Sequence, residues 1–300
     1  MSFGDGVNIC RVANEGKRMT RNPVLHRPPV QKERRLAVAD PTWQLPSAVA
    51  VAIGVGIVYF LAARFSLSLL TKPEGVAVFW PASGVAAGVL IALGPRAKWP
   101  VAIGAAAATI AANLLGDRSF AGAVTFALCN AGEAILTAAL VERQFGSGFA
   151  LHRVRQVLGL LAAAVFGSAI SGIGGTLGFK LFHFSTAPSW TIWQHWFASD
   201  ALGILTVAPL LIGAAVAGRD PPSLKEALEG AVTLFAITLT ITLVIFLPRA
   251  SFATVVPIAL LFPLLLWLAA RCRPVFSAAA VFIVALTIVW TTTFWHRIFR

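Results

Sequence analysis

The chain has 300 residues, 58% of them hydrophobic and 12% charged, with a mean hydropathy of +0.81, against roughly 25% charged residues in a soluble domain. That excludes a soluble globular protein and makes the chain an integral membrane protein. Its net charge of +12 sits in a leading segment and in short gaps between apolar runs, which suits anionic lipid and argues against nucleic acid as a partner.

Residues 1–46 hold eight Lys or Arg and several Pro but no apolar run. This is expected to be a disordered basic tail that stays in the cytoplasm, with the run after it acting as an uncleaved signal anchor rather than a secretory signal peptide. Nine apolar runs follow, near 47–70, 76–94, 99–116, 120–142, 156–181, 194–217, 228–247, 252–270 and 274–294. About 20 apolar residues cross a bilayer core as a helix. The predicted fold is therefore all-α, a polytopic transmembrane bundle of eight or nine spans. Its body covers 47–295, and 296–300 form a short terminal tail.

Direction follows from the gaps between runs. One set holds Arg96 and Lys98, then Arg143, Arg153 and Arg155, then Arg219 and Lys225, then Arg271 and Arg273; the alternate set holds only Lys72, Arg118, Lys180 and Arg249. The first set is assigned to the cytoplasmic side, with the N-terminus. An odd number of spans then carries His296, Arg297 and Arg300 to the outer side, against the rule. Either one run does not cross, or a further helix would follow.

The second run contains "VFWPASG". Pro81 is tolerated in the first turn of a helix, so the helix proper is predicted from 81 to about 94, roughly 21 Å at 1.5 Å per residue. Residues 76–80 would enter as non-helical chain, which the membrane accepts only where protein buries it or water reaches it. The amides of Ala82, Ser83 and Gly84 would face that space and attract anions or carbonyl oxygens. A span tilted or shortened by an interfacial Trp-Pro is the alternative.

Two acids lie deep within runs, Glu133 and Asp200, and an ionisable group there costs some 2.5 kcal/mol or more. Helical spacing puts Glu133 on one face with Asn130 and Thr137, and pairs Asn113 with Thr109 on the preceding span. Trp193, His195 and Trp196 lie within two turns of Asp200, as a rimmed pocket would need. Polar side chains also glue membrane helices together, at about 0.6 kcal/mol per hydrogen bond, and tryptophans mark the interface; Asn113, Asn130 and Thr137 remain open to that reading. His183 and His195 are read as interfacial side chains rather than metal ligands. Ser171, Gly174, Gly175 and Gly178 are read as a packing stripe, and Arg64 as a snorkelling side chain. Cys10, Cys129 and Cys272 form no disulfide or zinc pattern. The expected ligand-binding set is Trp80, Pro81, Ser83, Gly84, Asn113, Asn130, Glu133, Trp196 and Asp200, with no catalytic residue, metal or cofactor.

Four blocks, "FWPASGVAAGVLIALGPRAKWPVAIGAAAATIAANLL", "ALCNAGEAILTAALVER", "WFASDALGILTVAPLLI" and "LLFPLLLWLAAR", resemble in order the MASE1 family of bacterial membrane-associated sensor domains. The resemblance covers about 47–290. It matches recurring positions at Trp80, Pro81, Gly84, Gly94, Trp99, Pro100, Asn113, Asn130, Glu133, Trp196, Asp200, Gly203 and Pro209. It implies a membrane input module joined to a histidine kinase, a diguanylate cyclase or phosphodiesterase, or another cytoplasmic output, and it assigns no ligand residue. Family members usually continue through another hydrophobic helix into the output domain, where this chain closes on "TTTFWHRIFR"; a truncated remnant of a longer sensor is one reading of that difference. No phosphoacceptor block, ATP-lid glycines or "GGDEF" loop is recognisable, so no enzyme is expected. Expected partners are the lipid bilayer, an unidentified small ligand, a cytoplasmic histidine kinase or diguanylate cyclase, and a second copy of the chain in a homodimer. The alternative function is a secondary transporter using Glu133 and Asp200 as a proton or cation site, although no repeat between halves supports it.

Overall fold

The computed structural model describes residues 45–70, 75–146, 148–183, 185–246 and 255–298. Nearly all of the predicted tail at 1–46 lies outside the described residues, as do the side chains of His296, Arg297 and Arg300. Nine α-helices occupy the described chain: α1 Leu45–Leu67, α2 Pro81–Leu93, α3 Lys98–Leu114, α4 Phe120–Phe145, α5 Val154–Phe182, α6 Ser189–Arg219, α7 Leu224–Phe246, α8 Val255–Arg271 and α9 Pro274–Ile298. Each falls on one predicted run. Six of them, α1, α4, α5, α6, α7 and α9, are long and apolar enough to cross a membrane.

Local chemistry places the helix ends. Pro81 occupies the first turn of α2, and Gly94 ends it at φ 81°, a conformation that favours glycine. The Ser119 hydroxyl accepts from the Gly122 amide at 3.2 Å to start α4, and Arg153 N donates to Gln156 Oε1 at 3.0 Å to start α5. α6 begins five residues before its run limit at 194, because Trp190 and Trp193 are helical.

With 13 residues, α2 is about 20 Å long, too short to cross by itself. The chain before it is non-helical, as predicted. Val76, Ala77, Phe79 and Trp80 are all buried, so here protein is what shields the irregular backbone. Its amides also find acceptors: Val78 N donates to Leu69 O at 3.0 Å and Trp80 N to Ser199 O at 3.2 Å, meeting the demand that no backbone group be left unpaired in hydrocarbon.

α2 packs against α1, α4 and α6, while α5 lies against both α4 and α6, and α9 attaches α7 and α8 to α6. One of these approaches sets Gly84 of α2 on Gly203 of α6. A Cβ on Gly84 would stand 2.7 Å from Val207 Cβ and collide with the Gly203 carbonyl, so bare backbones are required at the crossing.

Two cavities show how the helices alternate. One gathers Leu67, Ala77, Asn113, Arg118, Phe126 and Phe179, from junctions assigned to the outer side. The other, about 440 Å³, gathers Gly94, Lys98, Glu142, Phe149 and Arg219, from junctions assigned to the cytoplasm. Junctions of the two charge sets thus gather at different cavities, as an alternating path requires.

Candidate functional site

Glu133 and Asp200 are each 2% exposed, and they meet in one polar network. Glu133 Oε2 accepts from the Ser83 hydroxyl at 2.8 Å, and Oε1 from the Ser168 hydroxyl at 2.5 Å. One carboxyl therefore joins α2, α4 and α5. Asp200 interacts with it from α6. The Ser199 hydroxyl donates to Trp196 O at 3.2 Å, with Asp200 Oδ1 a longer contact at 3.5 Å. No donor among the described residues reaches Asp200 Oδ2.

Above this pair lies a cavity of about 30 Å³, lined by Trp80, Asn113, Arg118, Asn130, Trp196 and Asp200 among others. It has room for about two water-sized particles, at roughly 10–15 Å³ for each, against at least about 300 Å³ for an organic-ligand pocket. Its aromatic walls are held by their own donors. Trp80 Nε1 donates to the Tyr59 hydroxyl at 3.3 Å, and Trp196 Nε1 to the Ser171 hydroxyl at 3.1 Å. Tyr59, fully buried, also meets the Thr109 side chain.

Arg118 lies on the cavity wall. It follows Asp117, whose φ of 57° turns the chain sharply after α3, in a region that Asp tolerates better than most residues. Arg118 N donates back to Asn113 O at 3.1 Å, and one guanidinium nitrogen donates to Gly75 O at 2.7 Å. The guanidinium also lies 5.4 Å from the Phe126 ring centre and 5.1 Å from that of Phe179. Burial pushes its pKa down to about 10, still far above neutrality, so it remains a cation. His183 stacks on Phe126 at 5.5 Å; burial and the Arg118 charge lower its pKa.

The nine sequence-predicted residues thus divide. Trp80, Asn113, Asn130, Trp196 and Asp200 line the cavity. Ser83 and Glu133 lie beside it as a hydrogen-bonded pair, while Pro81 and Gly84 set the start of α2 and its contact with α6. The Ser83 amide, expected to face open space, donates to Trp80 O at 3.2 Å. Trp193 does not line the cavity. It stacks between Trp190 and Phe197 and donates to Ala169 O at 3.0 Å. The small-residue stripe of α5 packs as expected, with Gly175 seating the Trp196 ring.

Four residues escaped the sequence reading: Tyr59, Arg118, Ser168 and Ser199. Tyr59 carried a signal, as the one tyrosine in the chain, and Arg118 had been counted only as an outer-side cation. Ser168 and Ser199 are indistinguishable in sequence from helix-packing serines.

Among the described residues, no group of three or more His, Cys, Asp or Glu could hold a metal ion. Comparison with known proteins finds no match among curated proteins or solved structures. A family model, MASE1, matches residues 49–299. With its buried polar centre inside a multi-pass helical bundle, the chain belongs to the MASE1 family of membrane-associated sensory domains.

Proposed function

We propose that this chain is the signal-input module of a bacterial inner-membrane sensor, with its N-terminus in the cytoplasm. It detects a small ligand in the outer cavity and acts through a cytoplasmic histidine kinase or diguanylate cyclase. The observation that carries this reading is the single carboxyl of Glu133 joined to Ser83 of α2 and Ser168 of α5, with Asp200 of α6 beside it. A change at the cavity would alter four helices together. α2 is the natural transmitter. Trp80, just before its first residue, borders the outer cavity, and its last turn, from Leu90 to Leu93, borders the inner one beside Lys98 and Arg219. Ligand binding would favour one of two placements of α2 against α6.

The test fuses the chain to a reporter kinase and compares Trp80→Ala, Glu133→Gln and Asp200→Asn with the parent. Altered basal or stimulated output supports the reading; unchanged signalling in all three, at equal membrane abundance, removes it. The half-length α2 beside two buried carboxyls also favours a second reading, transport of a proton or cation. Gradient-driven uptake by proteoliposomes that Glu133→Gln abolishes would establish that instead.

A further inference from the structure

The ligand class can be narrowed from the atoms around the outer cavity, an inference that rests on the sensor reading above. Three of its lining residues, Asn113, Asn130 and Asp200, are each at most 2% exposed. Each carries a side-chain oxygen that no donor among the described residues reaches: Asn113 Oδ1, Asn130 Oδ1 and Asp200 Oδ2. The orientation of Asn113 is set by its nitrogen, which donates to Thr109 O at 2.8 Å, leaving the oxygen as the unserved atom. Meanwhile several donors on the walls are engaged elsewhere. Trp80 Nε1 serves Tyr59, Trp196 Nε1 serves Ser171, the Ser199 hydroxyl serves Trp196 O, and Arg118 reaches Gly75 O.

An unserved buried acceptor costs about 1–3 kcal/mol, and three at one cavity point to a ligand that offers donor hydrogens or positive charge to several oxygens at once. Two waters, which the volume admits, could serve all three with their four hydrogens; a bare cation does so as one particle. Size and charge choose among cations. About 30 Å³ is too little for a divalent ion that keeps several waters, as Mg²⁺ does, and Ca²⁺ needs six to eight oxygens. A hydrogen bond between the Glu133 and Asp200 carboxyls needs a proton on one of them; once that proton leaves, the pair outweighs the Arg118 charge by one. A single monovalent cation balances that excess.

We propose that Asn113, Asn130 and Asp200 form a binding site for one small monovalent cation of the Na⁺ class. Glu133, held by Ser83 and Ser168, supplies the second negative charge from below, and Arg118 stays on the cavity wall because its contacts to Gly75 O, Phe126 and Phe179 hold it there.

The test is equilibrium binding of ²²Na⁺ to the purified full chain in detergent, at constant ionic strength made up with N-methylglucamine chloride. Saturable binding of one ion per chain is expected, weakened on the order of tenfold or more in Asn130→Leu and Asp200→Asn. Both variants are checked for helix content and a single elution peak. Asn113→Asp retains the oxygen and adds charge, so it should bind at least as tightly as the parent. Absence of saturable ²²Na⁺ binding by the folded parent overturns the proposal and leaves water in the cavity. Unchanged binding in both weakening variants overturns it too, as does displacement by Ca²⁺ at lower concentration than by unlabelled Na⁺. The two readings fail separately: a reporter fusion that depends on Asp200 while the chain binds no Na⁺ defeats the cation site alone, whereas Na⁺ binding with an indifferent reporter defeats the sensor.

Discussion

The crossing of α2 on α6 allows a prediction with a worked magnitude. In Gly203→Ala, the new methyl would stand 2.7 Å from the Trp80 carbonyl carbon and 3.2 Å from Pro81 N, and nearer still to the Trp80 oxygen. That is about 1 Å inside ordinary carbon contact of roughly 3.5–4.0 Å, and the obstacle is backbone, which cannot rotate away. The start of α2 must therefore retreat. Such overpacking costs about 1–3 kcal/mol, and loosening the 3.2 Å bond from Trp80 N to Ser199 O adds about 1 kcal/mol. Replacing a helical glycine by alanine returns about 1 kcal/mol, so the net loss is about 1–3 kcal/mol. Gly132→Ala on α4 is the control, since no heavy atom of the described residues lies within 4 Å of its Cβ position, and only the helix gain of up to about 1 kcal/mol remains. Unfolding by SDS titration, followed by tryptophan fluorescence, should move the two variants in opposite directions. A Gly203→Ala protein as stable as Gly132→Ala would refute the bare-backbone contact and with it the seating of α2.

The other predictions concern the network and its surroundings. Ser83→Ala and Ser168→Ala should each destabilise by about 0.6–1.7 kcal/mol, the range for hydrogen bonds between membrane helices; since both hydroxyls serve Glu133, a double-mutant cycle by the same titration should be non-additive, and strict additivity would argue against a shared carboxyl. Asp117→Gly should hold or raise stability, while Asp117→Val should cost about 1–2 kcal/mol because φ is 57° there; equal melting temperatures for the two would contradict that turn. His183 has its pKa lowered, first by burial and then by Arg118, so the fold favours the neutral ring. The stability from this group is complete above the unfolded value near 6.5 and is lost as pH falls through the lower folded value. Melting temperature should therefore drop between about pH 7 and pH 5 more steeply in the parent than in His183→Phe, which retains the stacking, and parallel curves would show that His183 is not responsible.

Each helix of the described residues, and the half-length of α2, was legible in the local sequence. Those features are local: a bilayer demands a run of apolar residues for each crossing, Lys and Arg mark the ends, and Pro81 starts a helix wherever its neighbours lie. The sequence also singled out Glu133 and Asp200, because a buried acid is expensive in any membrane helix. What the tertiary structure alone decided is which polar groups converge. Trp193 and Trp196 are three residues apart on one helix, yet one stacks outside on Phe197 and the other lines the cavity. A helix facing lipid is apolar nearly all round, so a few polar residues tell which face turns inward but not which neighbour they meet. Rotation is set instead by close packing, as where Gly84 meets Gly203 and where Gly175 admits the Trp196 ring. The return of Arg118 to the cavity and the pairing of Glu133 with Ser83 and Ser168 depend in the same way on contacts between segments 35 or more residues apart, which no local pattern encodes.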